Sequence, residues 1–214
     1  MRIGVIGPDG PDLFADNIRA GLVRMGHEAF LLGAPRVGAG RPPADALLSL
    51  AQRALPSIDA LVQRRLLRRA FAHRCELVIN IDPDLDATVV AALRHAGIRT
   101  CYWFPDHVAN LGRFSAIMAP YDALLFKEPA LVDRLRAILA LPAFYLPEAC
   151  NSDWHRPPPN LPVDGHIAVV GNMYPSRTLL LRRLLDAGLP IRLYGGGFPR
   201  WLRDDKLAAC HAGV

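Results

Sequence analysis

Three stretches place reactive or anion-binding side chains directly after short apolar runs. The first is Val169-Val170-Gly171-Asn172-Met173-Tyr174-Pro175-Ser176-Arg177. An apolar run enters a glycine, and a helix opens with Ser176 and Arg177 in its first turn. The free amides of a helix N-terminus attract anions, and a guanidinium there adds a two-pronged grip on phosphate. Gly171, Asn172, Tyr174 and Arg177 are therefore candidate contacts to a phosphorylated ligand; the plain alternative is an ordinary helix start with a solvated arginine. Gly195, first of three glycines after the next apolar run, lets a ligand approach the backbone closely, and equally suits a flexible loop.

The second stretch is Trp103-Phe104-Pro105-Asp106-His107. A carboxylate beside an imidazole suits proton transfer or a grip on sugar hydroxyls, so Asp106 and His107 are the candidate catalytic pair. Equally, Asp106 can cap a helix while His107 faces water. Lys127-Glu128, at the equivalent place after the next run, reads as a surface ion pair. The third stretch, Gly4-x-x-Gly7-x-x-Gly10, is a tight strand-to-helix turn or, less simply, a loop in which Gly7 and Gly10 line a cleft.

Several chemistries are excluded by spacing. The glycines lack the G-x-G-x-x-G order that brings amides onto a pyrophosphate, and Leu31-Leu32-Gly33 offers no acid for a ribose. A nicotinamide-dependent oxidoreductase is the weakest reading. There is no P-loop and no G-x-S-x-G elbow. The histidines are scattered without H-E-x-x-H spacing, so no metal is expected.

These stretches need elements to hold them. Arg2–Gly7 reads as a buried parallel strand, 12–25 as a helix stopped by Gly26, and Glu28–Leu32 as a second strand. The region 44–74 is helical with a break at Pro56. Leu55, Ile58, Val62, Leu66 and Ala70 form its apolar stripe, flanked by Arg64, Arg65, Arg68 and Arg69. Strands at 75–81, 98–104, 121–126 and 143–146 alternate with helices at 85–95 and 129–139. Alternation of this kind predicts an α/β fold, a mostly parallel, doubly wound Rossmann-like sheet.

Residues 151–162 contain Pro157-Pro158-Pro159 and read as a linker. The pattern then restarts with a strand at 166–170, a helix at 176–187 and a strand at 191–194, the opening βαβ of a second domain. The expected organisation is a first domain over 1–150, a linker over 151–165 and a partial second domain over 166–214. A chain ending at Val214 leaves few residues for a second α/β core, so a C-terminal truncation is expected.

With 214 residues, 51% of them hydrophobic, the chain is long and apolar enough to bury a core. The net charge of +5 rests almost wholly on arginine, since Lys127 and Lys206 are the only lysines among 25 basic residues. So mild a charge suits an anionic small molecule rather than nucleic acid. The arginine-flanked helix reads as a solvated face before it reads as a membrane contact. No secretory or membrane-spanning stretch is present. Cys75, Cys101, Cys150 and Cys210 read as buried reduced thiols, so a cytoplasmic location is expected.

Longer strings then show a resemblance. Leu146-Pro147-Glu148-Ala149-Cys150-Asn151, followed by Trp154 and Pro157, resembles the inter-domain stretch of two-domain GT-B glycosyltransferases. Gly171-Asn172-x-Tyr174-Pro175-x-Arg177 and Ile191-Arg192-Leu193-Tyr194-Gly195 resemble the CgeB-like, spore-maturation branch, as do Tyr102-Trp103-x-x-Asp106 and Tyr121-Asp122-x-x-x-Phe126. Ala149 and Asn151 stand where that pattern has Gly and Asp, and the acidic ribose contact of the second domain is not found. The resemblance implies a bacterial enzyme moving a sugar from a nucleotide-diphosphate-sugar to an unknown glycan, lipid or protein acceptor, between two Rossmann-like domains. No cofactor or metal beyond the donor substrate is implied. Gly171, Asn172, Tyr174, Arg177 and Gly195 would meet the donor diphosphate. The turn at Gly7 and Gly10 and the Asp106-His107 loop would face acceptor and transferred sugar. A non-catalytic glycan-binding or structural protein on the same fold is the alternative.

Overall fold

The computed structural model describes residues 1–37, 44–107, 115–157, 159–160, 165–196, 198 and 204–213. The chain divides into two compact units, Met1–Arg156 and Pro157–Val214.

The first unit is built on six strands: β1 (Arg2–Ile6), β2 (Glu28–Gly33), β3 (Leu77–Asn80), β4 (Arg99–Phe104), β5 (Ala123–Phe126) and β6 (Ala143–Tyr145). Their order is β2-β1-β3-β4-β5-β6 and every pairing is parallel. The intervening helices are α1 (Phe14–Arg24), α2 (Ala44–Ala54), α3 (Pro56–Ala72), α4 (Ala87–His95), α5 (Ser115–Met118) and α6 (Pro129–Leu139). The doubly wound α/β fold expected from the alternation is therefore the fold observed.

Strand periodicity sorts the core into two layers. Val78, Tyr102, Leu124 and Phe126 point to one face and meet Leu66 and Ala70 of α3, Val90 and Leu93 of α4 and Leu135 of α6. Their neighbours Ile79, Trp103 and Leu125 point to the other face, where Ala15 and Ile18 of α1 complete the packing.

Local chemistry explains the boundaries. Pro56 and Pro129 sit at helix starts, where their missing N–H costs nothing. Asp86 caps α4 by accepting from Thr88 N. Within the stripe of α3, Val62, Leu66 and Ala70 are buried, but Leu55 at the break is half exposed. The flanking arginines divide in role. Arg69 Nη1 donates to Leu32 O at 2.9 Å and Arg65 Nη2 to Ala34 O at 3.4 Å, tying α3 to the end of β2.

The second unit holds a three-stranded parallel sheet in the order β7 (Ile167–Val170), β8 (Ile191–Tyr194), β9 (His211–Gly213), with α7 (Pro175–Asp186) and α8 (Asp205–Ala208). Its core is Met173, Leu181, Ile191, Leu193 and Leu207. Arg182 clamps the two helices, with Nη1 2.5 Å from Asp204 and Nε 3.2 Å from Asp186. Neither α8 nor β9 was expected from sequence. Cys75 and Cys101 are buried as expected, whereas Cys150 is exposed and Cys210 partly so; burial pushes the Cys101 thiol up to about 12.

Candidate functional site

The carboxyl ends of β7 and β8 bring five of the sequence candidates together. The strands are followed at once by Gly171 and Gly195, with φ of +128° and +122°, a region open to glycine and strained for any other residue. Gly171 N donates to Tyr194 O at 2.9 Å and Gly195 N to Gly213 O at 3.0 Å. The two glycines nest backbone against backbone: a Cβ on Gly195 would lie 3.1 Å from Gly171 O and 3.2 Å from its N. A Cβ on Gly196 would lie 3.5 Å from Asn172 Oδ1.

Tyr174 caps α7 in an extended conformation, with no side-chain hydrogen bond to the cap, and Pro175 opens the helix. Helix geometry then leaves the amides of Ser176 and Arg177 without intrahelical acceptors. Arg177, partly exposed, folds back on its own turn. Its Nη1 donates to Asn172 O at 2.5 Å, and its guanidinium lies 5.7 Å from the Tyr174 ring centroid. The same nitrogen would be 2.9 Å from a Cβ on Gly171, so this glycine makes room for the guanidinium. The result is a small loop that carries both an arginine and the start of a helix, each a source of positive potential.

In the first unit the Asp106-His107 pair is joined differently from the simple dyad. His107 N donates to Asp106 Oδ1 at 2.7 Å, while the ring Nε2 lies 3.2 Å from Glu128 Oε1. Lys127 does not pair with its neighbour Glu128. Its Nζ reaches Glu148 Oε1 at 3.1 Å and Pro105 O at 2.7 Å. The carboxyl ends of β4 and β5 thus carry a polar cluster of His107, Lys127, Glu128 and Glu148.

Gly7 is a packing position. A Cβ there would come within 2.5 Å of Ile81 Cγ1, and its N donates to Gly33 O at 3.1 Å. Gly10 closes the following turn by accepting from Leu13 N at 3.2 Å. Both hold the turn in shape by their backbones.

Two groups escaped the sequence reading. The strand order reverses between β1 and β3, the place where doubly wound sheets open a crevice. There Asp82 is only 2% exposed and faces Arg36 Nη2 at 3.2 Å, while Arg36 Nε reaches Asp84 Oδ2 at 2.9 Å. Burial holds the Asp82 carboxyl above its ordinary value, against the lowering pull of Asp84 N and Arg36. Beneath it Asn80 Nδ2 donates to Asp82 O and to Tyr121 Oη, each at 2.9 Å. An aspartate closing the apolar run after β3 was the available signal, but Arg36 lies 46 residues away. The second group is Asp12, at φ +59°, whose Oδ1 lies 2.8 Å from His155 Nε2. The Asn17 side chain, then His155, hold the Asp12 carboxyl below its usual range.

Among the described residues no three His, Cys, Asp or Glu side chains converge as a metal site, and no helix is long and apolar enough to cross a membrane. The first unit thus has the six-stranded parallel sheet and flanking helices of a Rossmann-like domain in GT-B glycosyltransferases, and the second a smaller sheet of three parallel strands. A solved sucrose-phosphate synthase from Thermosynechococcus elongatus superposes with a TM-score of 0.63 at 13% identity, covering 100% of this chain and 70% of that one. The glycosyltransferase SnogD from Streptomyces nogalater gives a TM-score of 0.48 at 17% identity, covering 100% of this chain and 72% of its own. No family model and no curated protein matches the chain.

Proposed function

We propose that the chain acts in glycosyl transfer from a nucleoside-diphosphate sugar, as a cytoplasmic relative of the CgeB-like branch. The observation that carries this reading is Arg177 folded back over the Gly171-Asn172 turn at the start of α7. In metal-free transfer these are the groups that offset charge building on a departing diphosphate. Gly171 makes room for that guanidinium, Gly195 packs against the Gly171 backbone, and Asn172 and Tyr174 border the turn. His107 is the proton-transfer group on the acceptor side, with Glu128 and Asp106 orienting its ring and backbone. The turn at Gly7 and Gly10 shapes the acceptor's side of the first unit. A superposed fold, that of an enzyme named sucrose-phosphate synthase, supports the reaction class without specifying donor or acceptor.

Calorimetric titration with UDP and GDP tests the reading. Replacing Arg177 by Ala removes a charged hydrogen bond of about 1.5–3 kcal/mol, weakening the bound nucleotide roughly 10- to 150-fold. His107→Ala should leave that affinity unchanged and lower turnover of the nucleotide sugar. Equal affinity in wild type and Arg177→Ala overturns the diphosphate assignment. Glycan binding without turnover of any nucleotide sugar favours the non-catalytic alternative.

A further inference from the structure

Helix α2 turns its polar side toward the first unit. Gln52 Nε2 donates to Pro35 O and to Asp59 Oδ1, each at 2.8 Å, and Gln52 Oε1 accepts from Val37 N at 2.7 Å. Helix periodicity then points Leu47, Leu50 and Ala54 away from these contacts, and no residue of α2 is buried. Leu47 and Leu50 are 67% and 63% exposed, the reverse of what a surface helix of a globular domain does with its apolar stripe. The exposed residues continue through Leu55 onto α3, which packs against α2. On the outer side of α3, Leu61 and Phe71 are exposed among Arg64, Arg65 and Arg68, neighbours on the helix surface at three- and four-residue spacing. We propose that the outer faces of α2 and α3 dock on a lipid bilayer rich in anionic headgroups, with the leucines entering the headgroup–acyl boundary and the arginines at the phosphates.

Charge names the partner. The two helices carry Arg53, Arg64, Arg65, Arg68 and Arg69 against two acids, Asp45 and Asp59. Both acids are partly buried, and Asp59 is turned inward to Gln52. Arg65 and Arg69 reach back to the chain at the end of β2, whereas Arg64 and Arg68 make no hydrogen bond or ion pair among the described residues. The arginines of α3 alone suit a solvated face, as the sequence suggests; leucines turned outward on the preceding helix do not. A folded protein partner is held by anchors in desolvated pockets and by polar groups in fixed geometry. Here the leucines project from helix surfaces and the free guanidiniums sit on flexible stems. An acidic bilayer needs only apolar side chains at headgroup depth with cations beside them. No described helix is long and apolar enough to cross a membrane, so the contact is made by lying on the surface.

The inference stands apart from the transferase reading and is tested without a nucleotide. Co-sedimentation compares vesicles of phosphatidylcholine alone with vesicles that also contain phosphatidylglycerol. The chain should bind the acidic vesicles more than about tenfold more tightly than the neutral ones, and raised salt should weaken that binding. Arg64→Gln/Arg68→Gln removes two free charges at about fivefold each, so affinity for acidic vesicles should fall about 25-fold while affinity for neutral ones stays. Leu47→Gln/Leu50→Gln should weaken binding about tenfold or more and, because both side chains are exposed, leave the thermal melt unchanged. Leu50→Trp should gain a blue-shifted emission component on acidic vesicles, quenched by brominated acyl chains, that the unaltered chain lacks. Absence of binding to acidic vesicles, equal binding to the two vesicle types, or acidic-vesicle binding that survives the leucine change would each overturn the proposal. So would capture of soluble polyglutamate as tight as that of acidic vesicles, which marks an acidic protein partner, or a dimer that Leu47→Gln/Leu50→Gln dissociates, with no vesicle binding by the unaltered chain.

Discussion

Substituting Gly195 by Ala separates two costs that a glycine can hide. The first is conformational: at φ +122° an alanine lies outside even the left-handed basin that non-glycine residues visit, at about 1–3 kcal/mol. The second is steric. The new methyl would sit 3.1, 3.2 and 3.3 Å from Gly171 O, N and C. These are backbone atoms, and Gly171 N is anchored to Tyr194 O at 2.9 Å, so the contact cannot relax by a rotamer change. Such overpacking adds about 1 kcal/mol or more, and the expected loss is roughly 2–4 kcal/mol. Gly188 supplies the control within the same unit. It has φ +81° and open space where its Cβ would go, so Gly188→Ala should cost only about 1 kcal/mol. Urea unfolding gives the comparison. Amide exchange at Leu193, whose N is bonded to Cys210 O at 2.9 Å, reports local opening of the small sheet. Equal stability of the two variants would refute the argument that the nested glycine backbones govern this turn.

Other outcomes follow from the first unit. Gly7→Ala should destabilise it by about 1–3 kcal/mol, because Ile81 Cγ1 lies 2.5 Å from the new methyl; Ile81→Ala should recover part of that loss in a double-mutant cycle of unfolding free energies. The Asp82 carboxyl titrates above its unfolded value, chiefly through burial. Its contribution to stability is therefore fully present below the unfolded value and is lost as pH rises through the higher folded one. Asp82→Asn should flatten that decline in thermal melts as pH rises above the ordinary carboxylate value of about 4. Asp12 has the opposite sign: its folded value is depressed, first by Asn17 and then by His155. What it contributes is present above the unfolded value and fades as pH falls through the folded one. Asp12→Asn should remove that acid sensitivity in the same melts.

Much of this architecture could be read from residue order. Apolar runs alternating with 3.6-period stretches sufficed for the parallel sheet, and α6 falls at the expected limits because Pro129 opens it and Ala140 leaves it at φ +50°. The short elements were harder. Helices α5 and α8 span four residues each, too few for a periodicity to register, and His211-Ala212-Gly213 lacks the β-branched residues that mark a strand. At the candidate site, Gly171, Asn172, Tyr174 and Arg177 were legible because they lie within one strand-to-helix turn. The Arg36–Asp82 and Asp12–His155 pairs were not, since each joins side chains far apart in the chain.

The position of β1 has a consequence for how the protein emerges during synthesis. This strand is the inner partner of both β2 and β3, so its second edge stays open until Leu77 follows. About 44 residues separate Gly33 from Leu77, which at ribosomal rates of about 5–20 residues per second is a wait of several seconds. During that interval Ile3 and Val5 must be screened by α1 alone, and a chaperone that recognises short aliphatic stretches has its longest opportunity there.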